Sequence, residues 1–220
     1  LGSAGNTIQG NYIGTDVTGT MAVANGGGFW ITDAPDNTIG GTDPGAGNLI
    51  SGHTGGIRVD GPNASGNVIQ GNTLGMDVTG TLPMGVRGAA VRFSNGASGN
   101  SLGGTEPGAG NIVSGCSCVG IVLFVDAGTG KRILSNSLFD NGGLGIDLNR
   151  DAVTANDESD SDTGPNDLQN HPVLTSVASD GGVAIQATLN STPKSSFTLD
   201  FFSNTVCDES GFGEGKNPLG

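Results

Sequence analysis

The chain has 220 residues, 42 of them glycine, and its 21 acidic and 8 basic side chains leave a formal net charge of −13. Glycine weakens helices, and Asn, Ser and Thr compete for helical backbone bonds, so the composition argues against a helical protein. The acidic excess excludes nucleic acid, which demands basic patches, and no apolar run approaches the roughly 20 residues that cross a bilayer; solubility, cations and neutral glycans stay compatible with the charge.

Internal repetition dominates the first 150 positions. Residues 5–20 read GNTIQGNYIGTDVTGT and residues 66–81 read GNVIQGNTLGMDVTGT. Between them, residues 37–52 read NTIGGTDPGAGNLISG, which returns at 100–115 as NSLGGTEPGAGNIVSG. The two kinds alternate, so the unit is half the long repeat and begins at Asn6, Asn37, Asn67, Asn100 and Lys131. Each unit holds three short apolar segments. The first carries Ile8, Ile39, Ile69, Leu102 and Ile133; the second Ile13, Ile50, Leu74, Val113 and Leu138. The third pairs Phe29 with Ile31, Ile57 with Val59, Val91 with Phe93, Ile121 with Leu123, and Ile146 with Leu148. Segments this short that alternate in and out read as strands. Gly and Asn punctuate every junction. A unit of three strands and three turns buries its apolar residues only by stacking. The expectation is an all-β, triangular parallel β-helix of about five coils.

Insertions keep to fixed corners. Odd coils carry DVTGT after the second segment, and even coils carry GGT[D/E]PGAG after the first. Asp16 and Asp77 recur two coils apart, as do Asp43 and Glu106. Roughly 10 Å separates such pairs, too far to share an ion, so Asx-type turns explain them best. Asn11, Asn48, Asn72, Asn111 and Asn136 each precede an inward residue by two positions, as a ladder of stacked amides would.

On the third segment, outward positions align as Trp30, Arg58, Arg92, Val122 and Asp147, and one pleat further as Thr32, Asp60, Ser94, Phe124 and Asn149. Trp30, with Phe124, offers an apolar platform for a sugar ring. Stacked Arg58 and Arg92 need compensation, from Asp60 or from a substrate carboxylate. Arg58, Arg92, Asp60 and Asp147 are the candidate catalytic set. The structural alternative is an exposed polar face with an Arg–Asp bridge of little worth. A groove around Trp30 would favour binding or catalysis, and Arg58 locked to Asp60 a passive stalk. Cys116, Cys118 and Cys207 have no His at metal-ligand spacing and read as structural.

After Asp151 the repeat stops. Residues 151–170 form an acidic linker in which Asp160, Asp162 and Asp167 flank a turn glycine. Alternating carboxylates suit Ca²⁺, and a solvated linker is the competing reading. Residues 172–178, 183–189 and 197–203 read as strands that either cap the solenoid or begin a sandwich. The expected organisation is therefore 1–150 repeats, 151–170 linker and 171–220 a β-rich C-terminal segment.

The pattern GNxIxGNxIGTDxTG, followed by NTIGGTxPGAGNxISG and GGIxxxG, resembles the right-handed parallel β-helix repeat proteins of bacteria. The segment SNSLFDNGGLGIDLNRD and the tail LNSTPKSSFTLDFFSN resemble the way their helices end. The resemblance implies a right-handed coil, a secreted or cell-surface location, further domains of the same parent chain and a β-sandwich-like tail. It implies no single activity, because the fold hosts polysaccharide lyases, glycoside hydrolases, tailspikes and adhesins. The uronate-cleaving members commonly use an Arg or Lys base with acidic groups or calcium on the substrate carboxylate. The expected function is contact with polysaccharide through the third-strand face. A polysaccharide lyase or glycoside hydrolase and a non-catalytic stalk are the alternatives.

Overall fold

The computed structural model describes residues 2–179, 182–206, 208 and 211–219. The first coil runs through β1 (Thr7–Ile8), β2 (Tyr12–Ile13) and β3 (Phe29–Thr32), and the second through β4 (Thr38–Gly40), β5 (Leu49–Ile50) and β6 (Ile57–Asp60). The third comprises β7 (Val68–Gln70), β8 (Thr73–Leu74) and β9 (Val91–Ser94), and the fourth β10 (Ser101–Gly103), β11 (Ile112–Ser114) and β12 (Ile121–Leu123). The fifth comprises β13 (Arg132–Leu134), β14 (Ser137–Phe139) and β15 (Ile146–Leu148). Every coil gives one strand to each of three five-stranded parallel sheets. The chain is a parallel β-helix of five coils.

The apolar ladders stack as the repeat requires. Ile8, Ile39, Ile69, Leu102 and Ile133 are in register on the first sheet, and Ile13, Ile50, Leu74, Val113 and Leu138 on the second. All of these but Ile13, together with Ile57, Val59, Val91, Phe93, Ile121 and Leu123, form or pack against one continuous core. Turn chemistry keeps the column closed. Gly40 and Gly103 hold φ of 86° and 77°, and a Cβ on either would lie 2.0 Å from the carbonyl oxygen of Gln70 or Leu134 in the next coil. Only glycine serves there. Ile146 departs from the expected inward position: it is 40% exposed, because it lies on the last coil with no further coil above it.

Buried amides tie the corners. In the ladder from Asn11 to Asn136, each Oδ1 from Asn48 onward accepts both the backbone N–H and the Nδ2–H of the Asn one coil earlier, as Asn72 accepts from Asn48 at 3.1 and 2.9 Å. Asn6, Asn37, Asn67 and Asn100 form a second ladder of the same kind; in the sequence they mark only where units begin. Lys131 interrupts it. Asn166, in the 3₁₀ turn Pro165–Leu168, then supplies the sixth rung. Its Oδ1 accepts from the Lys131 N–H and its Nδ2 donates to the Lys131 carbonyl, both at 2.8 Å.

The C-terminal segment covers the end of the stack. The Leu138 N–H donates to the Gly215 carbonyl at 2.8 Å, the Ser135 N–H to Asp200 at 2.6 Å, and Asn141 Nδ2 to Glu214 at 2.7 Å. Next, β16 (Val173–Ser179) and β17 (Val183–Thr188) form an antiparallel hairpin. The strand expected over 197–203 shrinks to β18 (Phe202–Ser203), paired with β19 (Asn217–Pro218). A strand persists only opposite a neighbour that satisfies its backbone, and that neighbour is short. No helix among the described residues is long and apolar enough to cross a membrane.

Candidate functional site

The third sheet brings most of the sequence-derived candidates onto one face. Trp30 pairs with Arg58, Arg58 with Arg92, Arg92 with Val122, and Val122 with Asp147. The Trp30 indole is 72% exposed and lies beside Gly27, where a Cβ would come within 3.0 Å of its Nε1. The Arg58 guanidinium stands 5.8 Å from the Trp30 ring centroid. Arg58 Nη2 donates to Asp60 Oδ1 at 2.7 Å, the only ion pair among the described residues. The same oxygen accepts from Ser94 Oγ and Asn95 Nδ2, each at 2.7 Å. Burial pushes the Asp60 carboxyl up, but the hydrogen bonds from Ser94, Arg58 and Asn95 outweigh it and hold Asp60 below the usual carboxylate range.

Arg92 makes no ion pair among the described residues. Its guanidinium lies 4.9 Å from the Phe124 ring centroid, with Arg150 5.2 Å from the same ring. Burial and the adjacent Arg58 charge lower its pKa. Asp147 keeps its place in the column but not its expected exposure. It is 5% exposed, and Oδ1 is buried without a partner. Burial raises its pKa against the pull of N–H groups from residues 150–152. The face thus unites Trp30, Arg58, Asp60, Arg92 and Phe124, while Asp147 sits three coils from Asp60, roughly 14 Å along the stack.

The insertion loops build a second feature, a trough over the second sheet. Its floor is the outward column Tyr12, Leu49, Thr73, Ile112 and Ser137. Loops of one kind lean on each other across the intervening coil. The Val78 N–H donates to the Gly19 carbonyl at 2.9 Å, and a Cβ on Gly108 would come 2.9 Å from the Thr42 carbonyl. Two cavities, of about 840 and 290 Å³, share Gly108 in their linings and follow this floor. Of the loop carboxylates expected in Asx turns, Asp16 and Asp77 make them, whereas Asp43 and Glu106 join their turns only through backbone carbonyls. Asp16 accepts from Thr18 Oγ1 and the N–H groups of Thr20 and Met21, and Asp77 repeats the set with Thr79, Thr81 and Leu82. The Thr18 hydroxyl is the main influence lowering Asp16, and the Leu82 N–H the main one lowering Asp77. Sequence reasoning saw the insertions and missed the trough. The available signal was that both kinds of insertion border the second strand.

In the acidic linker, Asp157, Asp160 and Asp162 present carboxylate oxygens within 4.8 Å of one another. Asp157 Oδ1 and Asp162 Oδ1 are shielded from solvent and have no partner. Desolvation, then the charges of Asp157 and Asp160, raise the Asp162 pKa. Such a set fits a hard cation such as Ca²⁺. Asp167, expected as a ligand, is not in the group. It occupies a left-handed turn (φ 55°) beside Lys131, while Asp157 takes the place the spacing had assigned to it. Cys116 is buried and free, with its thiol pushed up to about 12 by burial; Cys118 is free and exposed, and Cys207 lies outside the described residues.

No family model, curated protein or solved structure matches the chain. What the site does must therefore be read from its geometry.

Proposed function

We propose that this chain is a non-catalytic β-helix module of a secreted or cell-surface protein that contacts polysaccharide along its third parallel sheet. The observation that carries the reading is Trp30, an indole 72% exposed on a flat sheet face with a guanidinium fixed beside it. A sugar ring packs on such a platform. The neighbouring Arg58 and Arg92 favour a chain bearing carboxylates.

Catalysis is the weaker reading. Glycosidases need two carboxyls about 5 to 10 Å apart, and Asp60 and Asp147 stand farther apart than that. Asp60 is also committed to three donors. That commitment favours a second reading, a structural or adhesive stalk with no glycan site.

Trp30 is the only tryptophan, so its fluorescence reports on this face alone. An acidic polysaccharide is expected to shift that emission and to retain the protein on a column, and Trp30→Ala to abolish retention while the fold persists. Undiminished retention of Trp30→Ala would remove the platform, and no retention of the native chain would leave the stalk. Release of new reducing ends from any polysaccharide, lost in Arg58→Ala or Arg92→Ala, would overturn the non-catalytic assignment.

A further inference from the structure

The trough on the second sheet is independent of the third-sheet face and has its own chemistry. Its lining contains Asp16, Asp43 and Glu106, and no Lys or Arg. Asp16 is absorbed by its own loop, whereas the exposed carboxylates of Asp43 and Glu106 accept no hydrogen bond among the described residues; only their backbone carbonyls do, from Ala46 and Ala109. They occupy equivalent positions in loops two coils apart, so roughly 10 Å separates them along the axis. The walls are rich in glycine, which lets a ligand approach the backbone closely, and Tyr12 supplies an aromatic surface on the floor. The trough runs across the strands for roughly 20 Å.

We propose that this trough binds an extended, amine-bearing polysaccharide, a 1,4-linked β-glycan whose amino sugars are at least partly free of N-acetyl groups. Charge complementarity selects the class. Carboxylates with no compensating cation repel uronate polymers and attract protonated amines. Regular spacing selects an extended chain, because Asp43 and Glu106 repeat at an interval commensurate with the disaccharide repeat of such a glycan. A chain of sugar rings, which must lie close against the walls, also suits a glycine-rich lining better than a lysine-rich peptide does. Such a peptide in polyproline conformation would want a groove lined with several aromatics, and Tyr12 is the chain's only tyrosine.

The test is calorimetry on the whole chain with a glucosamine hexamer, at a mildly acidic pH that keeps the amines charged. Parallel titrations use the fully N-acetylated hexamer, an oligogalacturonate and a lysine-rich peptide. The glucosamine hexamer is expected to bind, to weaken with added salt and to leave Trp30 emission unchanged. Asp43→Asn with Glu106→Gln is expected to weaken it about tenfold, as two exposed charge pairs together allow. The pair of substitutions removes no intramolecular hydrogen bond, so folding is expected to be intact. Thr73→Trp, filling the floor, is expected to abolish binding. Three outcomes overturn the proposal: no heat with the glucosamine hexamer, affinity unchanged in the double variant, or tighter binding of the N-acetylated hexamer or the peptide. Binding that disappears in Trp30→Ala but survives Thr73→Trp would move the glycan to the third sheet.

Discussion

Replacing Asn72 by Ala tests whether the amide ladder holds the coils together. Asn72 lies at the middle rung and is buried. Its Oδ1 accepts from the Asn48 N–H and Nδ2, and its Nδ2 donates to the carbonyls of Ile39 and Gln70 and to Asn111 Oδ1, all between 2.9 and 3.1 Å. Alanine removes all of these and strands the Asn48 N–H in the core, while Asn48 Nδ2 keeps the Ile8 carbonyl at 2.9 Å. A buried donor left unpaired costs about 1 to 3 kcal/mol and each other lost hydrogen bond about 1 kcal/mol net, so the sum is about 4 kcal/mol. For a chain of this length that lowers Tm by roughly 8 to 16 °C. Asn11 is the control. It stands at the exposed end of the same ladder; its side chain donates only to Gln9 and Asn48, and its Oδ1 accepts nothing among the described residues. Asn11→Ala is expected to cost about 1 kcal/mol or less. Both variants are measured by calorimetry or by circular dichroism on heating. Equal losses in the two variants, or a loss at Asn72 no larger than a surface substitution gives, would refute the ladder's role.

Two further outcomes follow from buried charge. Lys131 is 6% exposed, donates to the carbonyls of Ala127 and Gly128, and burial pulls its pKa from 10.5 down to about 8. Between those values the unfolded chain holds a proton that the folded chain has lost, so this residue's contribution to stability rises with pH across the window, by about 3 kcal/mol in all. The difference in denaturant midpoint between the native chain and Lys131→Met is expected to change in that sense from pH 8 upward, and a flat difference would show the ammonium to be solvated. Calcium titrated into the chain is expected to give heat and a higher Tm, both lost in Asp162→Asn and both kept in Asp167→Asn. No heat at millimolar calcium would leave the linker a solvated acidic loop.

What was legible in the sequence is whatever repeats locally. The alternating apolar residues, the turn glycines and the Asn at each corner recur once per coil, and stacking at a fixed spacing converts that recurrence into register. The column from Trp30 through Arg58, Arg92 and Val122 to Asp147 could be written down for the same reason. The Asx role of Asp16 and Asp77 followed from loop sequence alone, since every partner lies within five residues.

The rest depended on residues far apart in the chain, for which no periodicity exists to be read. Asp60 Oδ1 is held by Ser94 and Asn95 from the next coil, partners that lie more than 30 residues away in the chain. Asp147 is buried because the chain turns back over it after the repeat ends. Asn166 completes a ladder 35 residues after Lys131 leaves it, and Asp157 displaces Asp167 from the carboxylate group because a loop, unlike a strand, carries no rule linking spacing to direction. The trough needed loops from alternate coils to lean together, a contact that the insertions permit and only the packed solenoid creates. Composition and repeat thus determine the architecture through local backbone preference and stacking. Tertiary contact decides which of the exposed side chains stay free to meet a ligand, because burial and hydrogen bonding between distant segments use up the others.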